Sequence, residues 1–120
     1  MSTTIPPPDS HYISLAQFLA MKELYGTNSE NVLAPQYQGQ EILVVSELFN
    51  VTPFNALVSV PGCAGIRIYY GMDETLKIHA MLVAVDANNQ DLLPQGGNAI
   101  FAKDSGPPIV EEGQRCPPSC

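Results

Sequence analysis

Apolar residues recur at three and four spacing in the first quarter of the chain. Leu15, Phe18 and Leu19, then Met21, Leu24 and Tyr25, predict an amphipathic helix over 15–25. Ser14 and Gln17 stand three apart, as in a capping box, with Ile13 and Phe18 placed as a hydrophobic staple. Gly26 suits the residue just past the helix end. A second, shorter pattern, Phe54, Leu57 and Val58, follows Thr52-Pro53, which reads as an N-cap with proline at the first helical position. Pro61-Gly62 must end it, so the expected helix is 53–59. Between them, 27–40 reads as loop and the apolar run Ile42-Leu-Val-Val45 as a short strand.

From residue 65 the period changes to two, the period of a strand. Ile66, Ile68 and Tyr70 alternate with Arg67, Tyr69 and Gly71; Leu76, Ile78, Ala80, Leu82 and Ala84 alternate with Lys77, His79, Met81 and Val83. A turn-like Gly71–Thr75 segment makes this an antiparallel hairpin, 66–71 with 76–86. Setting Tyr70 opposite Ile78 puts Ile68 against Ala80 and Ile66 against Leu82, giving one apolar face and an odd loop, most simply 73–75. The second strand is apolar on both faces from Met81 to Val85, as a central covered strand is. Asp86–Asp91 is a turn, with Leu92-Leu93 opening a third strand.

The predicted architecture is α+β: a small antiparallel sheet packed against helices near 15–25 and 53–59, with extended proline-rich ends. Seven of the 11 prolines lie at those ends, where they exclude helix interiors and central strands. The expected organisation is an extended arm at 1–8, one domain at 9–94, and an irregular Pro/Gly-rich tail at 95–120. A chain of 120 residues is the size of one domain.

Charge narrows the partners. Five basic and 12 acidic residues give −7, with a pI near 4.4. That balance argues against nucleic acid, which is bound by clustered Lys/Arg, and against anionic membrane surfaces. The N-terminus has no basic and apolar leader pattern, and no run approaches the ~20 apolar residues that span a bilayer. The expectation is a soluble, cytoplasmic protein.

Three cysteines, Cys63, Cys116 and Cys120, cannot form a complete intramolecular disulfide framework. Cys116-Pro-Pro-Ser-Cys120 has the spacing of half a zinc site, which Cys63 with His79 or His11 completes as a candidate Cys₃His set. The competing readings are a disulfide, including one from Cys63 that pins the tail, and free thiols. Pro61-Gly-Cys-Ala-Gly65 runs helix–turn–strand, the reverse of a nucleophile elbow, and Cys63 there reads as a small turn residue. His79 has no nucleophile placed near it, and Asp86-x-Asn88-x-Gln90 lacks the glycine and glutamate of a calcium loop. No catalytic residue and no cofactor is assigned, and the reading leans against an enzyme.

The segments Pro61–Asp73, Leu82–Asp86 and Gly113–Cys120, with Ile13–Ala16 and Ser46–Phe49, resemble a group of small uncharacterised proteins of Bacteroidetes-type bacteria. The resemblance implies an intact domain of bacterial origin that includes the Gly-Gln-Arg-Cys-Pro-Pro-x-Cys end. It carries no catalytic residues with it. The expected function is therefore non-enzymatic interaction or assembly, through a protein partner or self-association; the alternative is a small zinc or thiol/disulfide module on Cys63, Cys116 and Cys120.

Overall fold

The computed structural model describes residues 3–94 and 106–120, so the 95–105 part of the expected tail lies outside the described residues. The fold is α+β with antiparallel sheets, as the sequence predicts. The chain forms two compact units: Met1–Pro6, Phe49–Gly71 and His79–Gly113 make one, and Pro7–Leu48, Met72–Ile78 and Gln114–Cys120 make the other.

The first unit holds most of the core. Helix α2 (Val51–Val58) starts two residues before the expected 53, because Asn50 rather than Thr52 is the N-cap: its side chain accepts from the Thr52 N–H at 2.9 Å. Pro53 then sits inside the first turn, where a missing N–H leaves no bond unmade. Strands β2 (Gly65–Met72) and β3 (Ile78–Val85) form the hairpin, with β4 (Asp91–Leu92) and β5 (Ile109–Val110) also paired antiparallel to β3. Leu57 of α2 is fully buried with Leu82, Ala84 and Val110, and Phe49, Phe54, Val60, Cys63, Ile66 and Leu92 pack around them. Four consecutive residues, Leu82–Val85, are buried, so β3 is covered on both faces here, as its doubly apolar sequence predicts.

The apolar face is not buried along its whole length. Ile66 joins the core, but Ile68 and Tyr70 point to solvent, 50% and 79% exposed. An eight-residue helix is about 12 Å long and an eight-residue strand roughly 26 Å, so α2 can roof less than half of the hairpin.

Both hairpin connections have the same build. Leu76 N–H bonds Asp73 C=O and Asp73 N–H bonds Lys77 C=O; Asn89 N–H bonds Asp86 C=O and Asp86 N–H bonds Gln90 C=O. In each the aspartate carboxylate also accepts from the N–H groups two and four residues on. Leu76 and Asn89 occupy the left-handed position, at φ 69° and 66°. This is the three-residue loop that follows a type I turn with a left-handed residue. The first loop is thus 74–76, one residue later than the expected 73–75, because the Asp73 carboxylate caps its start.

In the second unit, helix α1 (Leu15–Asn28) begins at the expected capping box: Gln17 N–H donates to Ser14 Oγ at 3.1 Å and Ser14 N–H to Gln17 Oε1 at 2.8 Å. It does not end at residue 25. Gly26 stays helical and the Ser29 N–H still donates to Tyr25 C=O, so the helix runs one turn further. Strand β1 (Ser46–Leu48) pairs antiparallel with β6 (Gln114–Cys116), Glu47 opposite Arg115. The strand expected at 42–45 forms later, at β1: the Val45 N–H donates to the Cys116 carbonyl at 2.7 Å where the pairing with β6 starts, while the Ile42 carbonyl accepts from the Ile78 N–H and from Arg115 Nη2. The expected irregular tail is corrected at 109–110 and 114–116, where its backbone completes two ladders.

Candidate interaction surface and the sulfur sites

The second unit carries an open apolar groove of about 900 Å³. One wall is the face of α1 bearing Phe18, Met21, Lys22 and Tyr25, with Ile13 ahead of it. The other is the run 44–48, ending on β1, and the floor includes Gln114, Cys116, Ser119 and Cys120. Helical spacing places positions 18, 21, 22 and 25 on one side, which is why these four line it together. Tyr25 fixes the walls to each other: its hydroxyl donates to the Val44 carbonyl at 2.8 Å. Burial raises the Tyr25 pKa, Glu30 adds to the rise and Arg115 opposes it, so the hydroxyl keeps its proton and its bond at neutral pH.

The floor is braced from beneath. Arg115 Nη2 donates to the carbonyls of Glu41, Ile42 and Ile78 at 3.1–3.2 Å. The groove lining holds two charged side chains, Lys22 and Glu47, of opposite sign. Such a surface suits apolar side chains, with no concentrated charge to select an ionic ligand.

None of the residues of α1 is buried. Leu15, Leu24 and Met21 are 72%, 67% and 65% exposed. A helix that is apolar over most of its circumference is ordinarily covered, and a lone exposed leucine is unremarkable whereas a contiguous apolar patch is not. Spacing alone presented α1 as one wall of a core. The signal for a surface was also in the chain: between Leu15 and Tyr25 only Gln17, Lys22 and Glu23 are polar, too few to give the helix a solvated face.

The candidate metal residues have other partners. Cys116 and Cys120 form a disulfide, with Cα atoms 4.6 Å apart. The loop between them is held by a Ser119 N–H to Arg115 carbonyl bond of 2.9 Å. A sulfur in a disulfide is not a thiolate ligand, so the half-site that their spacing predicted exists only after reduction. Cys63 is a free, half-buried thiol 3.3 Å from the Gly65 carbonyl, and it packs against the core of the first unit. His79 Nδ1 lies 3.3 Å from a Glu111 carboxylate oxygen. Cys63 thus lies in the Pro61–Gly65 turn, and His79 lies beside the Glu111 carboxylate.

A polar cluster that the sequence did not disclose ties the sheet together. Arg67 donates to the Asp91 carboxylate and to the Asn89 side chain, and the Tyr69 hydroxyl donates to the other Asp91 oxygen. Arg67 and Tyr69 lie two apart on one face of β2, and Asp91 opens β4 beyond β3. The cluster reads as a cross-strand clasp.

No family model, no curated protein and no solved structure matches this chain. Among the described residues, no helix is long and apolar enough to cross a membrane.

Proposed function

We propose that the protein is a non-enzymatic interaction module whose binding surface is the α1 groove. One observation carries the reading: a 14-residue helix, none of it buried, walls an apolar groove of about 900 Å³. Large apolar residues at this density in an uncovered position mark a protein-binding surface. The groove takes apolar side chains from a partner, as an amphipathic helix laid in a hydrophobic groove supplies them. The wide Arg115 clamp and the Tyr25–Val44 bond hold the walls before binding, which lowers the ordering cost of association.

The test is a photo-crosslinking aromatic amino acid substituted for Met21 in the living cell, with the same residue at Gln40 as control. The expected result is a protein adduct from position 21 and none from position 40. No adduct from position 21 contradicts the reading.

The thiol/disulfide alternative is supported by the Cys116–Cys120 pair on the groove floor. The same pair bears on compartment: a persistent disulfide belongs to an oxidising one, and a cytoplasmic location would keep it reduced. Counting thiols on protein quenched in the cell decides both. One reactive thiol per chain supports the oxidised pair, and three supports the cytoplasmic, reduced form.

A further inference from the structure

We propose that Cys116 and Cys120 form a reversible thiol–disulfide exchange site, in which Cys120 takes the incoming thiol and Cys116 is the sulfur that leaves and later resolves. This rests on the thiol/disulfide alternative above and gives each sulfur its role. It does not depend on what occupies the α1 groove.

Loop length argues against a purely structural bond. A disulfide gains most by closing a long loop, and this one joins residues only four apart. The links from this segment to distant parts of the chain hold no sulfur. Strand β6 pairs with β1, and Arg115 Nη2 reaches the carbonyls of Glu41, Ile42 and Ile78. Exposed disulfides are the readily reduced ones, the class that serves exchange and regulation.

The two sulfurs differ in setting. Cys116 ends β6, is half-buried, and its carbonyl accepts from the Val45 N–H at 2.7 Å. Cys120 lies outside any helix or strand and is exposed. Exchange requires access to the sulfur under attack, so an incoming thiolate meets Cys120 first. Breaking the bridge frees the Cys120 end, while the β1–β6 ladder keeps Cys116 in place.

The loop is also prepared for the return step. The Ser119 N–H to Arg115 carbonyl bond of 2.9 Å spans the same turn as the bridge, one residue earlier at each end. It needs no sulfur, so after reduction it holds the two thiols near each other. Closure is then an intramolecular reaction at high effective concentration.

The reductant is a dithiol. One of its thiolates attacks Cys120 Sγ. A new S–S bond forms there as the Cys116–Cys120 bond breaks, and Cys116 leaves as a thiolate that takes a proton from water. The second thiolate of the dithiol then attacks the dithiol's own sulfur in the mixed disulfide. Cys120 is released and protonated. Two electrons have passed to the pair, and the dithiol has become a disulfide. In reverse, the Cys120 thiolate attacks a substrate disulfide and Cys116 resolves the mixed species.

The test treats the native full chain with dithiothreitol, quenches it with iodoacetamide and maps the labelled cysteines by peptide mass. Cleavage after Arg115 separates 116–120 from Cys63. Both Cys116 and Cys120 should become labelled while the circular dichroism spectrum is kept, and oxidised glutathione should restore the bridge. Then Cys116→Ser and Cys120→Ser are each treated with oxidised glutathione. The thiol left in Cys116→Ser should form its mixed disulfide at least about tenfold faster than the thiol left in Cys120→Ser, being the accessible one. A bridge that opens only when denaturant unfolds the chain overturns both the exchange site and the thiol/disulfide alternative. A bridge that cycles in the native fold, with Cys116 reacting as fast as Cys120, overturns the assignment of the sulfurs and leaves the alternative standing.

Discussion

The two helices of this protein are made of similar residues and meet different fates. Helix α2 has eight residues and drives Leu57 into the core. Helix α1 has 14, begins with a complete capping box, and buries nothing. Helix formation and helix burial are therefore separate events here. A cap and good propensity start α1 locally, whereas α2 is held by what it packs against. The two units follow their helices. Among the described residues, six of the seven buried apolar ones belong to the unit of α2, and Ile42 alone to the unit of α1.

The contrast is sharpest under substitution. Leu57→Ala should destabilise the fold by about 2–5 kcal/mol, because the methyl groups removed leave a cavity in a packed cluster. Chemical denaturation measures this, and a loss below about 1 kcal/mol would mean that α2 is no more anchored than α1. Next in size, Cys120→Ser should cost up to about 2 kcal/mol, the chain-entropy value for so short a closed loop. It is read as a fall in the denaturation midpoint that reductant reproduces in the wild type and does not add to in the variant. Ser14→Ala should cost about 1 kcal/mol, by loss of a cap that nothing else in α1 replaces.

The hairpin loops offer a smaller and opposite effect. They share one geometry, but the left-handed position is Asn89 in one and Leu76 in the other. Asn tolerates that conformation, and a β-carbon with a bulky side chain resists it. Leu76→Asn should stabilise the protein by roughly 0.5–1 kcal/mol, raising the midpoint of thermal unfolding. A fall would show that the Leu76 side chain holds more than its backbone strain loses.

The parts legible in the sequence are those fixed by near neighbours. The Ser14–Gln17 box, the turn at Asp86 and the doubly covered Leu82–Val85 all follow from residues within one element. The helix continues past 25 because glycine permits a left-handed exit without requiring it, and nothing blocks continuation through Gly26. The strand expected at 42–45 forms at 46–48 for a distant reason: its partner is β6, some seventy residues away in the chain, whose Cys116 pairs with Ser46. The outward turn of Ile68 reflects the length of α2, which no alternation pattern within the hairpin encodes. The groove was half legible. Phe18, Met21 and Tyr25 stood out as a helical stripe, but a stripe does not say whether its own chain or another covers it.

Hydrogen exchange of the full chain tests the central claim most directly, because it follows α1 and α2 in one sample. If α1 is an uncovered interaction surface, amides of 15–28 exchange well before those of 51–58. Protection of 15–28 as deep as that of 51–58 would place α1 in a core of its own chain and contradict the account.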